Sequence, residues 1–156
     1  MPKHIWTVVC YKACLDRCTN QVSILDVIEA ITLPVIGKDV EQLEERAKSE
    51  QVVFQFPHAM ATLWWREKGG KRENCTCRYV LLGPAGKQLA NSAEIEFVFG
   101  DNDRARTLSS IPVMVFSGWG VYSYQVQLKD AKGRWRPVAT VPVEMRPLPD
   151  TETPSE

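Results

Sequence analysis

Thiols and imidazoles are the side chains here whose types suit them to chemistry. The chain carries five cysteines, Cys10, Cys14, Cys18, Cys75 and Cys77, and two histidines, His4 and His58. A zinc site needs thiolates or imidazoles converging at about 2.3 Å from one metal. The available spacings are Cys14-x3-Cys18 and Cys75-x-Cys77, with no C-x2-C pair. Cys10 and Cys14 on one strand would stand about 13 Å apart at roughly 3.3 Å per residue, too far to share an ion. Cys75 and Cys77 fall on the same alternating face as Tyr79 and Leu81 and are expected to point inward. Buried or incidental thiols are therefore the expected state. A Cys–His nucleophilic pair would need a third group to orient the imidazole, and no signature supplies one. Gly83-Pro84-Ala85-Gly86-Lys87 ends like a phosphate loop but lacks the G-x4-G-K-[ST] spacing and lies between strand patterns. These observations predict no catalytic residue, no metal and no cofactor.

Tryptophan gives the sharper signal. In Ala59–Glu67, alternation places Ala61, Leu63 and Trp65 in an apolar set and Thr62, Trp64, Arg66 and Lys68 in a polar one. That reading turns Trp64 outward, where a partner, a sugar or an intramolecular cover must meet it. Trp119, between Gly118 and Gly120, is a second candidate, since flanking glycines can re-aim a side chain at a bulge. Trp64 and Trp119 are thus the expected binding residues.

The elements that must position these residues read as mostly β. His4–Leu15 is β-rich and apolar on both alternating sets. Val22–Ile31 fits a helical stripe and a strand alike; its β-branched content and the short turn before it favour a strand paired back on the first. Residues 39–50 read as a surface helix with Asp39 as cap and a narrow stripe of Val40, Leu43 and Ala47. Strands follow over Ala59–Glu67, Cys75–Leu82, Ser92–Phe99 and Ser110–Phe116, with turns at Lys68–Lys71 and Gly83–Gly86. Val121–Lys129 alternates over nine residues, with Tyr122, Tyr124, Val126 and Leu128 on one face. Asp130–Gly133 turns it into a return strand with Trp135, Pro137, Ala139, Val141 and Val143 on one face, so Tyr122, Tyr124 and Trp135 are expected as core aromatics. The expectation is an antiparallel β-sandwich of seven to eight strands over residues 3–145. A proline-rich, acidic tail over 146–156 is expected to be disordered.

At 156 residues with 19 basic and 19 acidic side chains, the chain is one neutral domain. Neutrality argues against a nucleic-acid partner. The cluster Arg66, Lys68, Lys71 and Arg72 reads as a solvated turn. No apolar run is long enough to span a membrane, and Met-Pro-Lys-His-Ile-Trp has no export-signal character. The expected setting is the cytoplasm, with reduced thiols.

Two stretches carry a resemblance. Val8–Asp16 with Thr19-Asn20 and Ser23–Ile31 is similar to the opening of a family of small uncharacterised bacterial proteins. Val113–Phe116 with Gly120–Val126 is similar to that family's closing strands. The resemblance implies a compact bacterial β-sandwich and carries over no site residue; Cys14, Cys18 and the tail set this chain apart. The function expected is a non-enzymatic protein-interaction or structural-accessory domain, with self or another protein as partner. A small-ligand or carbohydrate module built on Trp64 or Trp119 is the alternative, and a thiol- or metal-dependent enzyme is the third.

Overall fold

The computed structural model describes residues 2–16, 18–19, 21–67 and 70–149. Ten strands and one helix follow in the order β1 (Lys3–Leu15), β2 (Val22–Val27), β3 (Ala30–Leu33), α1 (Lys38–Ser49), β4 (Val52–Trp65), β5 (Glu73–Leu82), β6 (Gln88–Asn91), β7 (Ile95–Phe99), β8 (Arg104–Phe116), β9 (Gly120–Lys129) and β10 (Trp135–Pro147). Two sheets face each other: β2-β1-β4-β8, and β3-β10-β9-β5-β6 with β7 also on β5. The expected β-sandwich is present, with β3 and β6, four residues each, beyond the strands that alternation marks.

The β9–β10 hairpin follows its pattern along β9, but β10 shifts register between Pro137 and Ala139, so Trp135 stands opposite Lys129 on the outer face, with the Arg78 guanidinium 4.2 Å over its ring, and not in the core. Tyr122, Tyr124, Val126 and Leu128 are buried, and Gly133, at φ 76°, closes the turn. Asp130 fixes that turn by accepting from the backbone N–H groups of Lys132 and Arg134 and pairing with the Arg134 and Arg136 guanidinium groups. The Arg134 backbone bond is the largest of the effects that hold its carboxyl down at about 2.

Four further expectations change. Val22–Ile31 is not one strand. The chain breaks after Asp26 enters the left-handed region at φ 52°; β2 then pairs with β1 while β3 crosses to the other sheet, parallel to β10. Apolar periodicity cannot report this, because both pieces are half-buried strands. Asp39 does not cap α1. Gly37 holds the cap position with no side-chain hydrogen bond, and Asp39 lies in the first turn, where its charge suits the helix dipole. Order runs past 145: β10 includes Arg146 and Pro147, and the Leu148 N–H donates to Leu33 O. The rest of the expected tail, 150–156, lies outside the described residues, as do Lys68 and Gly69 of the expected turn. Finally, Arg66 is buried. Its guanidinium donates to the carbonyls of Lys71 and Gly100, sits 5.2 Å over the Phe99 ring and stands 3.8 Å from Asp103. It ties two loops together instead of facing water.

Between the sheets lies a chain of hydroxyl groups. Trp64 Nε1 donates to Thr107 Oγ1 at 3.2 Å, and Thr107 is 3.2 Å from Tyr79 Oη. Tyr79 Oη is 2.8 Å from Thr62 Oγ1, Thr62 is 2.8 Å from Thr7 Oγ1, and Thr7 is 2.8 Å from His4 Nε2. Only one direction places every proton. Each hydroxyl donates toward His4, whose bare Nε2 accepts the last one; reversal leaves Thr107 with only the Cys77 sulfur at 4.0 Å. Burial holds the His4 imidazole below its ordinary value of 6.5, in keeping with the neutral acceptor this direction requires. The Tyr79 phenol is pushed up to about 12 by burial, so it stays protonated.

Because Trp64 and Tyr79 hold this chain in place, their replacement is costly. Trp64→Ala is expected to lose about 3–5 kcal/mol of stability, and Trp65→Ala about 1 kcal/mol. Tyr79→Phe is expected to lose about 1–3 kcal/mol by stranding two buried threonines. Urea unfolding of the three variants checks the ranking.

Candidate functional site: an apolar sheet face and an inter-sheet cleft

The expected binding residues are not where alternation places them. Trp64 is 0% exposed, stacked on Phe97 across the sandwich at 5.1 Å between centroids and 17° between planes. Neither ring face is available to a sugar or a partner. The period along β4 is as expected, but its faces are exchanged: Met60, Thr62, Trp64 and Arg66 are buried on the inner face, while on the outer face Leu63 and Trp65 are half-buried and the small Ala61 is buried. Thr62, Trp64 and Arg66 can go inside because each finds a hydrogen-bond partner there, although Arg66 Nε is left without one. Trp119 is half-buried, edge-on to Phe116 at 4.8 Å and packed against the core; Gly118 and Gly120, at φ 128° and 129°, shape the turn that turns it back. Its Nε1 is buried without a hydrogen-bond partner.

The exchanged faces create the most distinctive surface of the molecule. Residues directly opposite on paired strands share a face. Val27 faces Cys10, which faces Ala59; Val8 faces Ala61, which faces Leu108; Trp6 faces Leu63, which faces Arg106; Lys3 faces Trp65, which faces Arg104. On β2, Leu25 lies opposite Lys12. The outer side of the four-stranded sheet is therefore an apolar band crossing β2, β1, β4 and β8. None of Trp6, Val8, Leu63 and Trp65 belongs to the core or packs on it, whereas Leu43 and Ala47 of α1 do pack on it. Val27 is 60% exposed and Leu25 53%. The small residues at the centre of the band, Cys10, Ala59 and Ala61, are themselves buried, so the larger side chains around them form its surface. Lys12, Arg104 and Arg106 edge the band, and no acidic side chain lies among the face residues named above. Lys3 pairs with Glu67 and stands 5.2 Å over the Trp65 ring. Sequence reading missed this face because it assigned Leu63 and Trp65 to the core; the alternation Arg104-x-Arg106-x-Leu108 was the available signal.

A second feature opens on the side of the sandwich where β8 faces β6 and β7. It is a cleft of about 320 Å3, walled by Tyr79, Leu81, Ile95, Ile111, Val113 and Tyr124, with Ser109 among its polar lining.

The thiols divide as expected for β5. Cys75 and Cys77 are buried, both pushed up to about 11 chiefly by desolvation. Cys10 is buried and donates to Ala59 O at 3.6 Å; Cys14 and Cys18 are exposed. Thiols with raised values are poor nucleophiles at neutral pH. Among the described residues, no group of three cysteine, histidine or acidic side chains converges as a metal would need. His58 is buried between Phe56 O at 2.7 Å and Tyr124 Oη at 2.6 Å. A carbonyl only accepts, so Nδ1 carries the proton and Nε2 accepts from the phenol. With no carboxylate to orient it and no nucleophile beside it, this imidazole braces the sheets.

Among the described residues no helix is long and apolar enough to cross a membrane. No protein-family model matches the chain, and no curated protein matches its sequence.

Desolvation holds both imidazoles below their ordinary value of 6.5. The unfolded chain therefore binds more protons than the folded one as pH falls below about 6.5. Their contribution to stability is present above that value and is lost as pH falls through the folded-state values. The melting temperature is expected to hold between pH 8 and 7 and to drop on acidification toward pH 5, with a shallower drop in His58→Gln. The loss tied to Asp130 comes separately, between its ordinary 3.8 and about 2. Thermal scans from pH 8 to 3 resolve the two windows.

Proposed function

We propose that this chain is a non-enzymatic docking domain that receives an acidic, partly apolar protein surface on the outer face of its four-stranded sheet. The observation that carries this reading is the apolar band of Leu25, Val27, Val8, Trp6, Leu63, Trp65 and Leu108, which lies outside the core and is edged by cations. Large contiguous apolar patches with polar rims mark interaction sites. Tryptophan and arginine are the residues that most often dominate such interfaces.

Charge supports a different partner over a second copy. Lys12, Arg104 and Arg106 are in none of the ion pairs formed among the described residues. A two-fold dimer through this face would bring like charges together, which costs affinity. An acidic rim on a partner would meet them. The core supports a binding role over catalysis, since its buried imidazole and phenols are engaged in hydrogen bonds and its buried thiols are held above their ordinary value. Five unpaired cysteines support the cytoplasmic setting.

Leu63→Asp and the double variant Arg104→Glu/Arg106→Glu test the proposal. The wild-type chain is expected to sediment as a monomer. In its native source it should retain a partner with an acidic surface, with affinity that falls as salt rises. Both variants should lose that partner at unchanged melting temperature. Equal retention by the variants overturns the docking face. A wild-type dimer that Leu63→Asp dissociates replaces the acidic partner with a second copy.

A further inference from the structure

We propose that the cleft between the sheets is a second, independent binding site, which takes a small neutral molecule with an apolar body and one hydrogen-bonding group. The cleft arises from the way β5 is covered. β7 pairs with Glu73–Cys77 and β6 with Val80–Leu82, so residues 92–94 step across between them and leave a notch in that edge. On the opposing sheet, the β4–β8 pairing shifts register between Gln55 and His58, opposite Ile111–Val113. Notch and shift face each other, and about 320 Å3 stays unfilled between them. That volume lies at the lower end of small-molecule sites, which run from about 300 to 1,000 Å3.

The lining sets the chemistry of the occupant. Ile95, Ile111, Leu81 and the rings of Tyr79 and Tyr124 form the walls, and no lining residue is charged. A carboxylate or an ammonium entering here would lose its water without gaining a counter-ion. The polar groups differ in what they have left to give. Ser92 Oγ is occupied, accepting from the Tyr79 N–H and donating to Ala93 O. The Tyr124 phenol has given its proton to His58. Ser109 alternates with Thr107 and Ala105, the inward set of β8, and its hydroxyl is absent from the hydrogen bonds formed among the described residues. Asn91 and Ser110 also line the cleft but are exposed to water, so the half-buried Ser109 is the group that fixes the polar end of the ligand, while the walls hold its body. Clefts with apolar walls and a few placed polar groups hold and orient small ligands.

This site does not depend on the docking face. The experiment is a titration of the full chain with 1-octanol, octanoate and octylammonium, followed by amide shifts in heteronuclear NMR. Octanol is expected to give saturable shifts concentrated at residues 92–95 and 109–113. The two charged analogues should bind at least about tenfold more weakly, because burial strips their hydration. Ser109→Phe, which fills the cleft, should abolish the shifts, and Ala90→Leu narrows the same space if the first variant does not fold. Shifts that fail to saturate or scatter over the surface overturn the proposal. So does octanoate or octylammonium binding as well as octanol, and so does undiminished octanol binding in the folded cleft-filling variant.

Discussion

Buried hydroxyl groups must find partners, and that requirement organises the interior of this sandwich. Thr7 on β1, Thr62 on β4 and Thr107 on β8 all come from one sheet, and Tyr79 reaches them from the other. The Trp64 N–H starts the chain and the His4 ring ends it. Each link has one acceptable geometry, so the network fixes the lateral position of one sheet over the other, which apolar packing alone leaves loose. The Trp64–Phe97 stack locks the same spot from the apolar side. Once the threonine row of β4 is committed to the interior, its neighbours Leu63 and Trp65 have only the outer face left. The exposed apolar band is thus a consequence of the polar core.

That link also explains what could be read from the sequence and what could not. The period of two along β4 was legible, and so were the strand, the sandwich and the inward thiols of β5. The sign of the alternation was not. Sequence weighs Thr62 and Arg66 as solvent-facing because their polar atoms look unpaid. In the folded chain a phenol meets Thr62 and two backbone carbonyls meet Arg66. The tyrosine lies 17 residues from Thr62 and Gly100 lies 34 from Arg66, so no local window contains them; only the Lys71 carbonyl, five residues on, is near in sequence. The Val22–Ile31 segment failed for a related reason. Its residues suit a strand throughout, but Asp26 redirects the chain between two sheets, and only the positions of β1 and β10 decide where each piece goes.

The candidate sites show the same limit at different scales. Arg104, Arg106 and Leu108 alternate in a pattern visible in the sequence, yet their meaning depends on Trp6, Leu63 and Leu25, which pairing brings alongside. The cleft has no signature in any single strand. It exists because two short strands divide one edge of β5 while the opposing strand pair slips register.

The parallel contact of β3 with β10 gives the fold a temporal order. Ile31 lies opposite Met145, so two segments from nearly opposite ends of the described chain must meet before the six-stranded sheet is complete. Such distant pairings carry a large loop-closure cost and slow the final step of folding. During synthesis, β1, β2 and β4 emerge early and can assemble, whereas β3 waits beside them with one edge unfilled until β10, the last of these elements, leaves the ribosome. Over that interval the nascent chain exposes an open strand edge as well as the apolar band.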